Sequence, residues 1–307
     1  MGHSWPGPNL SEGENAPVPW TMDYVRWQDR PELREPVLIA AFEGWNDAAD
    51  AASTAARYLR DLWSAKPFAT IDHEDFYDYT ATRPQVRLVQ GLTRRIDWPE
   101  TELTHAVLPG TSRDVVLLLG HEPQLKWRTF TSEVVGVATD LGVEMIVILG
   151  ALLADVPHSR PVRVTGTAAD ADLVRRLGLG RSTYEGPTGI VGVLHEAFSR
   201  AHLPSASLWA AVPHYVASTP SPKGALALVG RAAELLSTSV DTTELEVAAA
   251  DYERQVSEVV AADDDVIAYV RRLEANADDD EVADMEMVTG DALADELERY
   301  LREQRDE

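Results

Sequence analysis

The chain has 307 residues, of which 51 are acidic and 27 basic, so its formal net charge is −24. This charge repels nucleic acid and anionic membranes and argues against both as partners. The chain contains no cysteine, which excludes disulfides and thiolate metal sites. No apolar run reaches the roughly 20 residues that a membrane span requires, and the N-terminus lacks the basic and apolar regions of a signal peptide. Together these features predict a cytoplasmic protein.

The negative charge is concentrated near the C-terminus. Residues 241–307 contain 23 acidic and 6 basic residues, a net charge of −17, whereas residues 1–240 contain 28 and 21, a net charge of −7. The simpler interpretation of the acidic segment is a solvated surface, and the alternative is a surface that attracts a basic partner. We predict a flexible N-terminal arm over residues 1–20, an α/β domain over residues 21–240 and an acidic helical appendage over the remainder.

The fold prediction starts from a strand–turn–helix unit over residues 37–62. Residues 37–42 form a continuous apolar run, which is typical of a strand buried on both faces. Gly44 ends the run, and a helix follows. The apolar residues that share one face of this helix are Ala48, Ala52, Ala55, Leu59 and Leu62. Asn46 or Asp47 can cap the helix, because a short side-chain oxygen accepts bonds from its free N–H groups. Ligands of open α/β sheets bind at such strand ends.

Strands and helices alternate through the rest of the α/β domain. Further strands are predicted at residues 24–27, 67–71, 86–89, 103–108, 114–119, 145–149, 162–165 and 207–212, with a surface loop at 72–84. Helices are predicted at residues 121–141, 169–177, 190–201 and 222–236. This alternation is expected of a mostly parallel, doubly wound sheet with right-handed crossovers.

The predicted appendage is purely helical. One apolar stripe contains Leu245, Ala249, Tyr252, Val256 and Val259, and a second contains Val266, Val270 and Leu273. A loop rich in aspartate follows at residues 278–281. A last helix with Leu293, Leu297, Tyr300 and Leu301 on its inner face completes the prediction.

The common catalytic and cofactor motifs are missing from the sequence. It contains no Gly-x-Gly-x-x-Gly, no phosphate loop, no Gly-x-Ser-x-Gly elbow and no His-Glu-x-x-His. We therefore expect neither a bound cofactor nor a bound metal.

Polar side chains nevertheless lie in several loops at predicted strand ends. The candidate catalytic residues, should the protein be an enzyme, are Asn46, Asp47, Asp155, His158, Glu185 and His214. If these loops converge, a carboxylate, an imidazole and the guanidinium of Arg160 would together make an acid–base or hydrolytic pocket. The alternatives are structural, because Asn46 and Asp47 suit helix caps and His158 suits a loop-bonding role.

Five segments in order along the chain carry a resemblance to a known family. They are Phe42-Glu-Gly-Trp-Asn-Asp-Ala-Ala-Asp-Ala-Ala52, Glu122-Pro-Gln-Leu-Lys-Trp127, Asp155-Val-Pro-His-Ser-Arg-Pro161, Tyr184-Glu-Gly-Pro-Thr-Gly-Ile-Val-Gly192, and Val212-Pro-His-Tyr215 with Ser221-Pro-Lys223. Together they resemble the proteasome assembly chaperone 2 family, in its actinobacterial form, over residues 24–275. The resemblance implies an α/β fold similar to those of phosphorylases and hydrolases, and a homo-oligomer, for which we expect a trimer.

Two functional hypotheses follow. The resemblance implies a non-enzymatic, proteasome-assembly-chaperone-like interaction protein with proteasome α-subunits as its partners. The alternative is a phosphorylase- or hydrolase-like enzyme that acts on a small molecule in a pocket at the strand carboxyl ends. The enzyme hypothesis requires the candidate loops to converge on one cleft with room for a small molecule.

Overall fold

The computed structural model describes Trp20, residues 22–89 and residues 93–280. The predicted N-terminal arm, Trp20 excepted, and the predicted last helix lie outside these residues. The strands are β1 (Val25–Trp27), β2 (Val37–Glu43), β3 (Lys66–Ile71), β4 (Gln85–Val89), β5 (Thr93–Asp97), β6 (Thr101–Val107), β7 (Asp114–His121), β8 (Met145–Ala154), β9 (Val164–Ala168) and β10 (Ser205–Pro213). The α-helices are α1 (Ala51–Leu62), α2 (Trp127–Asp140), α3 (Ala171–Leu177), α4 (Ile190–Arg200), α5 (Pro222–Leu236), α6 (Thr243–Val260) and α7 (Asp264–Asp280).

One sheet of eight strands carries the fold. Its strand order is β1-β3-β6-β7-β2-β8-β10-β9. Four neighbouring strands, β7, β2, β8 and β10, are mutually parallel. β3 runs in their direction too, since it is separated from β7 by two antiparallel pairings, whereas β1, β6 and β9 run in the opposite direction. Five of the eight strands therefore share one direction, and helices cover both faces. The predicted α/β class and doubly wound sheet are confirmed.

β2 is apolar at every position from 37 to 42 because both of its faces are buried. Its odd-numbered side chains join the core beneath α1 and α5, and its even-numbered ones join the core beneath α2 and α4. None of these six side chains exposes more than 2% of its surface. A strand between two helical layers has no solvent face, so it shows no alternation of apolar and polar residues.

The turn after β2 is longer than the sequence predicts. A 3-10 turn over Ala48–Asp50 precedes α1. The Asp47 carboxylate accepts hydrogen bonds from the backbone N–H groups of Ala52 (2.6 Å) and Ser53 (3.1 Å), so it caps the first turn of α1 from a distance, whereas the residue at the N-cap position of α1 is Asp50. The placement of Leu62 on the buried face is wrong, because that side chain is 40% exposed at the helix end.

The helix predicted from residue 121 begins later, at Trp127. The backbone N–H groups of Gln124 and Leu125 donate to the carbonyl of Phe76, at 2.9 and 3.0 Å, instead of to a helical turn. Lys126 then adopts a left-handed conformation with φ 52°. The segment at residues 122–126 is therefore a loop, tied to the loop that follows β3.

Gly150 does not end the strand predicted at residues 145–149. β8 continues to Ala154, because β10 pairs with it along its whole length. A Cβ at Gly150 would lie 2.7 Å from the Trp209 ring, so this glycine allows the indole to pack directly on the backbone of β8.

Two corrections concern the C-terminal helices. Val259 is 71% exposed, and Val260 takes the buried position instead. Residues 278–280 of the predicted aspartate-rich loop belong to α7, and residue 281 lies outside the described residues. α6 packs on α5, and Tyr252, Val256 and Val260 of α6 form a third core with Val270 of α7 and the partly buried Tyr215. The boundary that we place at residue 240 stays a prediction.

Candidate functional site

The Glu122 carboxylate joins three segments at the carboxyl end of the sheet. It follows β7, and its Oε1 accepts hydrogen bonds from Nδ2 of Asn46 (2.8 Å) and from the backbone N–H of Ile190 (2.7 Å). Ile190 is the first residue of α4, where the helix dipole favours a negative charge. Burial raises the pKa of Glu122, while these hydrogen bonds act in the opposite direction.

Asn46 fits against Gly189 at the start of α4. It is 2% exposed, and a Cβ at Gly189 would overlap its side-chain amide. Its backbone carbonyl accepts a hydrogen bond from the N–H of Ala151, at 2.8 Å. Asn46 therefore connects the turn after β2 to both β8 and α4. This contact gives a structural role to Asn46 and Gly189, which lie in two of the five segments that resemble the family.

Asp47 is a buried carboxylate with one unsatisfied oxygen. Its Oδ1 caps α1, whereas Oδ2 has no hydrogen-bond partner among the described residues. Only 4% of the residue is exposed, and burial raises its pKa to about 6 against the opposing hydrogen bonds from Ser53 and Ala52. A capping carboxylate that titrates near neutral pH is consistent with either a structural or a catalytic role.

A second polar cluster surrounds His158, beneath the C-terminal helices. Its Nδ1 lies 2.8 Å from the hydroxyl of Tyr215, and its Nε2 lies 3.0 Å from Oγ of Ser257 in α6. The Lys223 ammonium donates to the carbonyl of His158 at 2.5 Å and pairs with Glu253 of α6. Burial lowers the pKa of His158. His158 is only 4% exposed, and its hydrogen bonds connect the loop after β8 to α6.

Asp155 and His214 lie at the margin of the same cluster. Nδ1 of His214 is 3.0 Å from Oδ1 of Asp155, and the hydroxyl of Tyr269 in α7 donates to that oxygen at 3.2 Å. Arg160 forms a two-pronged pair with Asp278 of α7, at 2.7 and 2.8 Å. Both C-terminal helices are thus attached to the loop that leaves β8.

The six candidate residues do not share one cleft. Asn46 lines a cavity of about 130 Å³ between α4 and β10, and Asp155 and His158 line another of about 150 Å³ under α7. Asp47, Glu185 and His214 line neither cavity, and Glu185 is exposed on the loop before α4. Within the described part of the chain, no group of three or more His, Asp or Glu side chains is arranged to hold a metal.

Sequence reasoning missed the α6 side chains that complete the second cluster. Ser257 lies 99 positions from His158 along the chain. Both Ser257 and Glu253 look like ordinary solvent-facing residues of an amphipathic helix, because helical periodicity does not show which loop a helix covers. The sequence indicated that α5 starts at Pro222-Lys223, but it did not indicate that Lys223 contacts His158 and Glu253.

Fold and site together define an α/β protein whose polar strand ends are largely occupied by contacts with its own loops and helices. Residues 41–260 match the sequence profile of the PAC2 family, so the chain belongs to that family. This confirms the predicted family. No helix in residues 22–89 or 93–280 is long and apolar enough to span a membrane.

Solved structures of similar proteins support this assignment. A PAC2 family protein from Streptomyces avermitilis is 47% identical and covers 76% of this chain and 99% of its own, with a TM-score of 0.70. The same values hold for a Mycobacterium tuberculosis protein described as a proteasome-assembly chaperone homologue. Pyrococcus furiosus PbaB, described as an archaeal proteasome activator, is 18% identical over 76% of this chain and 97% of its own, with a TM-score of 0.64, and shows a shared fold. No curated protein matches this chain in sequence.

Proposed function

We propose that this protein is a non-enzymatic interaction protein of the proteasome-assembly-chaperone type. Its partners are proteasome α-subunits, and it acts as a homo-oligomer. The observation that carries the proposal is its 47% identity, over 99% of the relative's length, to a protein described as a proteasome-assembly chaperone homologue.

The polar residues at the strand ends support an interaction role. Those of the two clusters bind neighbouring loops and helices, so they stabilise the scaffold on which a partner surface is displayed. The two cavities beside them measure about 130 and 150 Å³, below the roughly 300–1,000 Å³ of typical small-molecule pockets. A larger groove of about 870 Å³ lies at the opposite, amino-terminal end of the parallel strands, and it contains none of the six candidate residues.

The enzyme hypothesis depends on convergence of the candidate loops, and no observation favours it over an interaction role. It retains Asp47 as its strongest element, because that carboxylate has an unsatisfied oxygen and a pKa of about 6. A substrate would have to reach a side chain that is 4% exposed and covered by the first turn of α1.

Affinity capture with purified components tests the proposal. Tagged full-length protein is incubated with recombinant proteasome α-subunits from a species that encodes both proteins, and the bound fraction is measured by mass spectrometry. An unrelated protein of similar size and net charge is the control, since a charge of −24 attracts basic surfaces non-specifically. We expect α-subunits to be retained by this protein alone, in a complex that persists at elevated salt. Equal retention by the control would refute the proposal.

A further inference from the structure

The hairpin of β4 and β5 extends from the body without being covered by it. The two strands pair with each other in a separate two-stranded sheet. All five residues of β4 and four of the five in β5 are exposed, and only Asp97 is half-buried. Neither face of the hairpin is therefore packed against another layer. A two-stranded hairpin in water is marginally stable by itself, so an uncovered one is expected to gain stability from a partner.

One face of this hairpin is apolar. Val86 lies opposite Ile96, and Leu88 lies opposite Arg94 on the same face. Val86, Ile96 and Leu88 are 59%, 50% and 61% exposed. Alternation along both strands places these three side chains next to one another. Exposed apolar patches of this kind mark interaction sites more often than scattered single residues do.

The hairpin is held firmly at its base. Trp98, which follows β5, stacks on the His73 ring at a centroid distance of 5.5 Å and an angle of 9°. On the opposite face of the hairpin, Arg87 and Arg95 both pair with Asp97, at 2.6 and 3.3 Å. The apolar face is thus presented by an anchored arm with an ordered polar back.

The charge of the hairpin is opposite to that of the chain. Residues 83–98 contain four arginines and one aspartate, a net charge of +3, whereas the whole chain carries −24. Two such hairpins packed face to face would bring Arg94 of one copy near that of the other, which is unfavourable. A complementary surface is therefore acidic and partly apolar.

The outer surface of α6 and α7 has these properties. Residues 243–278 contain 10 acidic and 3 basic residues, a net charge of −7. Val247, on the outside of α6, is 60% exposed. Asp251 lies about one helical turn further on the same side of α6, and Glu258 lies two turns beyond Asp251, and both are exposed. This surface therefore matches the hairpin in charge and presents an apolar side chain among its acidic ones.

The two surfaces lie on opposite halves of the molecule. The hairpin connects β3 to β6, near the β1 edge of the sheet, whereas α6 packs on α5, which covers the half of the sheet that contains β8, β10 and β9. We propose that the β4–β5 hairpin of one copy binds the acidic outer surface of α6 and α7 on a second copy. This rests on the homo-oligomer of the proposed function and assigns its interface. Such a head-to-tail contact uses two different surfaces and closes into a ring when the rotation between copies permits.

Single substitutions that introduce a negative charge test the two surfaces separately. Leu88→Glu places a negative charge on the hairpin, and Val247→Glu adds one to the acidic helix surface. Val107→Glu, at the end of β6, is the matched control because Val107 is 59% exposed and lies on neither surface. Mass is measured by light scattering after gel filtration of the full chain, at a concentration where the wild type is oligomeric. We expect each test variant to raise the apparent dissociation constant at least tenfold, and the control to stay within twofold of wild type.

Mixing the two test variants distinguishes a hairpin-to-helix contact from a contact between two hairpins or between two helix surfaces. In an equimolar mixture, the intact hairpin of the Val247→Glu chain meets the intact helix surface of the Leu88→Glu chain. One good interface per pair forms, so we expect a 1:1 dimer that neither variant forms alone. Circular dichroism verifies that both variants fold. A Leu88→Glu chain as oligomeric as wild type, or a mixture that stays monomeric, would overturn the proposal. These results are independent of α-subunit capture, and a wild type that is monomeric throughout would refute the homo-oligomer itself.

Discussion

The Asp47→Asn substitution should change the pH dependence of stability in a defined direction. In the folded protein Asp47 is buried, with a pKa raised to about 6 from an ordinary value of 3.8. Below pH 3.8 the carboxyl is protonated in both the folded and the unfolded states. As the pH rises, the unfolded chain ionises first, whereas the folded chain holds the proton until the pH passes about 6. Stability is therefore lost between these two values and stays lower above them.

The size of this loss follows from the two pKa values. A rise from 3.8 to about 6 corresponds to about 3 kcal/mol of free energy of unfolding. Asparagine keeps the Oδ1 acceptor for the N–H groups of Ala52 and Ser53 but carries no charge. The stability of the variant relative to wild type should consequently rise by about 3 kcal/mol between pH 4 and pH 8. Any constant cost of the buried amide cancels in this difference.

Urea denaturation of both proteins at several pH values between 4 and 8 measures the effect. Because every other titrating group is shared, subtracting the two curves isolates Asp47. Asp47→Ala is the control for capping: it also removes the charge but loses the acceptor, and should be less stable than Asp47→Asn by about 1 kcal/mol at every pH. A difference curve that is flat, or that falls as the pH rises, would show that Asp47 is not a buried, raised-pKa carboxyl.

Five further substitutions have expected outcomes. Phe130→Ala should lower the free energy of unfolding by about 3–5 kcal/mol in chemical denaturation, because this ring is fully buried against two other phenylalanines. Gly189→Ala should lower the melting temperature because its Cβ would overlap a buried amide, whereas Gly230→Ala, which meets no atom within 4 Å inside α5, should raise stability by about 1 kcal/mol. Lys223→Met should increase proteolytic cleavage between α5 and α6, since it removes an ion pair with α6. Arg254→Met, whose ion pair lies within α6, is its control and should leave cleavage unchanged.

Local burial could be predicted from the sequence because each residue reports on its own surroundings. The apolar run at residues 37–42 indicated a strand covered on both faces, and both cores do meet at β2. The Pro222 start of α5 and the end of α3 at Gly178 were likewise visible, because helix-start prolines and terminal glycines act within one helical turn.

Other features depend on contacts between distant parts of the chain. The start of α2 at Trp127 is decided by the Phe76 carbonyl, which binds the N–H groups that a helix would otherwise use. β5 was missed because its sequence, Thr93-Arg-Arg-Ile-Asp97, has no alternation of apolar and polar residues, whereas the equally exposed β4 has one. Its existence depends on pairing with β4.

The candidate site shows the same division. The polar residues themselves, and the family to which their segments belong, were determined by the sequence alone. Their grouping was decided by the tertiary structure, which joins Asn46 to Glu122 and Gly189 in one cluster and His158 to Lys223 and α6 in another. Hydrogen bonds across such chain separations form only when strand order and helix packing bring the partners within about 3 Å. No local pattern of residue types records that proximity, so the division of the strand ends into two buried clusters is a property of the folded chain.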